Sequence, residues 1–152
     1  MRCKKLLLLY TGGTIGMQMS ADGLVPATGF EARVRAQQAL TPTRELPQWL
    51  FRELLPPIDS ANMAHGHWLA MVAMIRAGVE DDGCDAVLLL QGTDTLAYSA
   101  AALSVLLLGL PVPVLLTGAM LPAGAEGSDA WSNLFGAMGA LQQGLVSGVQ
   151  LY

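Results

Sequence analysis

Apolar positions along this chain follow two rhythms. Short, nearly unbroken runs occur at 6–10, 86–90 and 112–116. Runs of that length predict strands buried on both faces of a sheet. Between them, apolar residues return at helical spacing over 30–40, 64–79, 95–108 and 129–143. In 64–79 that spacing puts Trp68, Met71, Val72 and Ile75 on one face, and in 30–40 it leaves Arg33 and Arg35 exposed. Pro42 and Pro47 interrupt the pattern, 49–55 reads as a further strand, and Pro56-Pro57 ends it. Segment 17–29 carries Asp22-Gly23, Pro26 and Gly29, which predicts a mobile hairpin or lid. Residues 58–62 and 117–128 read as loops, and 149–152 as a strand just beginning, so the chain is expected to be a piece of a longer protein. Strands alternating with helices predict an α/β fold, a three-layer domain around a mostly parallel sheet.

Composition removes several classes of function. With 53% hydrophobic and 13% charged residues the chain is core-rich, which excludes a disordered segment. A net charge of −4 without a basic stripe argues against nucleic acid as a partner. Cys3 and Cys84 fit no metal spacing and no disulfide framework, so a reduced, cytoplasmic setting is expected. No charge occurs between Asp94 and Glu126, a length that would permit a membrane span. Gly109, Pro111 and Pro113 break that run, and helix, turn and buried strand account for it without a membrane. The basic and leucine-rich start would open a signal peptide, but its apolar part stops at Tyr10, before Thr-Gly-Gly.

Two stretches carry candidate chemistry. Tyr10-Thr11-Gly12-Gly13-Thr14-Ile15-Gly16 and Gln91-Gly92-Thr93-Asp94-Thr95 each follow a buried run and precede a turn or helix. Open α/β sheets bind ligands beyond the carboxyl ends of their strands. A threonine hydroxyl offered there among glycines is a plausible nucleophile mount, and a structural turn would look the same. Asp94 has the same two readings, since Thr93 or Asp94 is also suited to capping the next helix. His65 and His67 flank a helix start and read as solvated or capping residues, while Trp68 and Trp131 read as helix anchors.

Together the two stretches resemble the signatures of bacterial-type L-asparaginases, closest to the cytoplasmic type I branch. Asp59-Ser60, Thr117-Gly118-Ala119-Met120-Leu121-Pro122, Ser128-Asp129 and Asn133-Leu134 continue the likeness in order. The resemblance covers most of the family's N-terminal domain, taken here as 1–152 and incomplete at its C-terminal end. It implies a mixed, mostly parallel sheet and conversion of L-asparagine to L-aspartate and ammonia through a threonine acyl-enzyme. Thr14 would be the nucleophile, with Thr93 in the proton relay. Asp94 would bind the substrate amino group and Ser60 its carboxylate, with Asp59 and Ala61 beside it. No cofactor or metal is implied; a homo-oligomer of the full-length form is.

Departures from the family pattern bear on the same chemistry. The family's relay lysine would lie beyond Tyr152, because Lys4 and Lys5 are the only lysines here and precede the first strand. A lid tyrosine of the family aligns with Leu24, and Gln91 stands where histidine is frequent. The chain alone is therefore expected to be a weak catalyst. Two rivals keep the fold and change the role: a glutamine-deamidating subunit of a tRNA amidotransferase, and a non-catalytic amino-acid-binding module.

Overall fold

A computed structural model describes residues 2–41 and 45–152; Pro42, one of the two interrupting prolines, lies outside them. The main sheet contains β1 (Lys5–Gly12), β4 (Gln48–Ile58), β5 (Ala86–Leu90), β6 (Pro113–Thr117) and β7 (Gly148–Leu151). Their spatial order is β4-β1-β5-β6-β7, and every neighbouring pair is parallel. The antiparallel pairing is confined to a separate hairpin of β2 (Gln18–Ser20) and β3 (Gly23–Val25), where 17–29 predicted one. Among the described residues four α-helices complete the fold: α1 (Phe30–Ala39), α2 (His65–Glu80), α3 (Leu96–Leu106) and α4 (Ala130–Gln143).

Alternation along the strands sorts the core into two layers. Leu6, Leu8 and Tyr10 of β1 with Leu88 and Leu90 of β5 pack under Phe30 and Val34 of α1 and Leu134, Phe135 and Met138 of α4. Leu7 and Leu9 with Val87 and Leu89 face the opposite way, onto Met71 and Ile75 of α2 and Leu103 of α3. Cys3 and Cys84 belong to different layers and are free thiols. Trp131 stacks on Phe30 with ring centres 6.2 Å apart, and Trp68 Nε1 donates to Ser99 Oγ at 2.8 Å, so both tryptophans anchor helices. Among the described residues no helix is long and apolar enough to cross a membrane.

Three local expectations are corrected. β4 does not stop at Pro56-Pro57 but continues to Ile58, with a cis Leu55–Pro56 peptide. An edge strand tolerates prolines, which offer no ladder donor. Its register against β1 jumps from Tyr10↔Glu53 to Gly12↔Ile58, so the prolines sit in a bulge. Arg33 is not an exposed helix residue; it is half-buried. Neither Thr93 nor Asp94 caps α3: its N-cap is Thr95, and that side chain makes no capping bond.

Candidate active site

The strand order reverses between β1 and β5, where chain connections leave in opposite directions; the carboxyl edge at such a point is where open α/β sheets bind ligands. β4, β1 and β5 are neighbours there, and each ends in a single-turn 3₁₀ helix. The three turns are Ser60–Asn62, Thr14–Gly16 and Thr93–Thr95. Three residues singled out from the sequence, Ser60, Thr14 and Thr93, each open one of these turns.

Close backbone approach holds the turns together. Gly13 has φ 88°, a left-handed value that disfavours a side chain, and a Cβ on it would overlap the backbone of Gly92. Gly92 has an ordinary φ of −64°, yet a Cβ there would overlap Ser60 Oγ and lie 3.3 Å from Gly13 Cα. The turns after β1, β4 and β5 thus meet at Gly92. Thr95 Oγ1 donates to Ser60 O at 2.9 Å, and Gln91 Nε2 donates to Thr95 Oγ1 at 3.2 Å. Thr11 Oγ1 donates to Leu90 O at 2.9 Å, binding β1 to β5 just below. A fourth loop closes on the group: a Cβ on Gly118 would overlap Gln91 O and lie 3.3 Å from Thr93 Cγ2.

The candidate side chains differ in exposure. Thr14 and Thr93 are half-buried, Asp94 is exposed, and Ser60 is buried. Asp59 caps the Ser60 turn, accepting Ala61 N at 3.1 Å, and both Asp59 and Ala61 are exposed. With Thr95 as the N-cap of α3, the capping reading of Asp94 falls away, and Asp94 stands exposed in the turn after β5. Leu24 stands in β3 of the hairpin. It lines a cleft of about 240 Å³ with Met17, Met19, Arg33 and Pro122. His67 Nδ1 accepts Ala64 N at 3.0 Å, which is a capping role. No group of three or more His, Cys, Asp or Glu converges among the described residues.

Beneath the Thr14 turn lie Tyr10, which the first motif contains, and two groups the sequence did not mark out, Arg33 and Glu53. Tyr10 is fully buried, and burial pushes its phenol up to about 12; Arg33 works against that shift and Glu53 adds to it. Burial likewise raises Glu53 and lowers Arg33. Arg33 Nη2 donates to Gly16 O at 2.6 Å, and Ala123 N donates to Ile15 O at 3.2 Å. Helical spacing could not reveal Arg33, because an arginine on a mostly polar helix looks solvated. The signal available was Glu53, a lone acid inside an apolar strand.

Two kinds of comparison bear on this geometry. The family described as Asparaginase, N-terminal, matches residues 5–152. L-asparaginase 1 of Escherichia coli K12 is 38% identical over 91% of this chain and 40% of its own length. L-asparaginase I of Vibrio cholerae superposes with a TM-score of 0.85 at 32% identity, over 98% of this chain and 44% of that one. A probable cytoplasmic L-asparaginase of Campylobacter jejuni gives 0.75 at 29%, over 97% and 43%. The chain spans about two fifths of the length of these three relatives.

Proposed function

The chain belongs to the asparaginase family through that family's N-terminal domain, and from that premise we propose that it carries the nucleophile of an L-asparagine amidohydrolase. The reading is supported above all by one observation: three adjacent parallel strands end in matching turns that carry Ser60, Thr14 and Thr93-Asp94 and meet at Gly92.

In this reading Ser60 receives the α-carboxylate of the substrate, with Asp59 and Ala61 beside it, and Asp94 receives the α-ammonium. Thr14 Oγ attacks the side-chain amide carbon while Thr93 passes its proton toward a base. The tetrahedral adduct collapses, the C–N bond breaks, and nitrogen leaves as ammonia with that proton. Water then attacks the ester on Thr14, releasing L-aspartate and restoring the hydroxyl. The chemistry needs an activated hydroxyl, donors for the oxyanion and recognition of a small zwitterion. Short side chains and backbone amides at glycine-rich strand ends suit the last two. We further propose a cytoplasmic protein, in keeping with the Campylobacter jejuni neighbour, acting as a homo-oligomer whose partner subunit completes each site.

The test is Thr14→Ala in the complete protein, with L-asparagine as substrate and ammonia as readout. Turnover is expected to fall at least about 1,000-fold while L-aspartate still binds, because the nucleophile is lost and the carboxylate and ammonium contacts are kept. Turnover that survives the substitution would sink the assignment. A protein that binds L-aspartate and never releases ammonia is a binding module.

A further inference from the structure

The turn bearing Thr14 is gripped from below by a charged group that the proposed chemistry leaves unused. Gly16 closes that turn, and its carbonyl accepts Arg33 Nη2 at 2.6 Å. Tyr10 Oη presses on the same residue from the sheet side, where a Cβ on Gly16 would overlap it. Arg33 also lies 5.0 Å from the centre of the Phe30 ring, on a helix whose Phe30 and Val34 are fully buried. A guanidinium brought this far into an apolar layer calls for partners. Tyr10 and Glu53 are directly opposed across β1 and β4, and both interact electrostatically with Arg33. Tyr10 Oη, Arg33 Nε and Glu53 Oε1 are buried with no hydrogen-bond partner among the described residues, while the guanidinium donates through Nη2 to Gly16 O.

A charge-assisted bond from a rigid helix to a backbone carbonyl fixes orientation more firmly than a neutral one. We propose that Arg33 is a positioning residue: its guanidinium locks the Gly16 carbonyl and with it the direction of the Thr14 hydroxyl. This rests on Thr14 being the nucleophile. Packing alone is the competing role, in which the stem of Arg33 merely covers Phe30 and its head group does nothing for the turn.

The two roles separate in kinetics. Arg33→Met keeps an apolar stem and removes the donor. In the complete protein, kcat for L-asparagine is expected to fall about 100-fold, the scale of a misplacement near 1 Å. KM should stay within about threefold, because Ser60 and Asp94 stand on other strands. A packing role would lower Tm and leave kcat of the folded enzyme unchanged, and that result overturns the proposal. Where Arg33→Met does not fold, Arg33→Lys is read instead. A lysine ammonium keeps the charge but lacks the guanidinium fork that reaches Gly16 O from α1, so kcat should drop at least about fivefold; an unchanged kcat overturns the proposal equally. Thr14→Ala run alongside keeps the two ideas distinct. Turnover retained there removes the nucleophile and this proposal together, whereas turnover lost there and kept in Arg33→Met removes only this proposal.

Discussion

Gly92 is the residue on which the candidate site turns, and its effect can be separated from backbone strain. At φ −64° an alanine is sterically ordinary, so the main obstacle to Gly92→Ala is Ser60, whose Oγ would overlap the new methyl and whose Cβ would lie 2.8 Å from it, ahead of Gly13 Cα at 3.3 Å. Overpacking of that kind costs about 1–3 kcal/mol. Gly92→Ala should therefore lower stability by that amount in urea unfolding and weaken L-aspartate binding. Adding Ser60→Gly removes the clash, so the double variant should regain most of the stability and none of the binding. Simple addition of the two losses would show that Gly92 and Ser60 do not meet as described. Of the candidate residues, Thr14 and Thr93-Asp94 stood out in the sequence beside glycines at the ends of apolar runs, whereas Ser60 and the roles of all of them came from the resemblance. Arg33 did not stand out, since its importance depends on where α1 lies over β1 and β4, a long-range fact without local signature.

Among the elements, α4 and the loop before it show how one carboxylate can fix a segment. Asp129 accepts the amides of Met120 and Leu121 and the side-chain amide of Asn133, whose Nδ2 also donates to Gly118 O. Burial tends to raise its carboxyl, but these bonds together outweigh it and hold the group below its ordinary value of 3.8. A carboxylate lowered on folding adds stability above its unfolded value, and loses it as pH falls through the folded one. Asp129→Asn should lower Tm at pH 7 by about 3 °C, roughly 1 kcal/mol after discounting for solvent screening. The gap between variant and parent should narrow as pH falls below 3.8 and on through the lowered folded value, where protonation of the parent removes the same charge. A gap that persists in acid would mean the carboxylate is not what holds the loop. Element types followed from apolar period, and β1, β5, α2 and α4 began and ended within a residue or two of expectation. β4 overran its expected end because propensity treats Pro-Pro as a stop, while its edge position lets a bulge absorb both prolines.

For the whole molecule, the direction of β1 decides where a proton acceptor can come from. Its eight residues run from Lys5 to Gly12, so at about 3.3 Å per residue the lysine end is roughly 25 Å from the Thr14 end. Lys5 is moreover tied to that far edge, donating from Nζ to Asp82 O at 2.6 Å. Neither lysine of the chain can then reach Thr14, and a threonine hydroxyl without an adjacent base is a weak nucleophile at neutral pH. The 152-residue chain by itself is expected to release ammonia from L-asparagine at least about 100-fold more slowly than an intact L-asparaginase assayed in parallel, the lower end of what a general base contributes. The remedy distinguishes a missing base from a collapsed site. If the base alone is lacking, the chain should still bind L-aspartate through Ser60 and Asp94, detectable by calorimetry. Its residual rate should also rise with pH as hydroxide takes over the proton. Turnover equal to that of the intact enzyme would mean that Thr93, Asp94 or a neighbouring group on this chain serves as the base, and the relay would have to be redrawn around them.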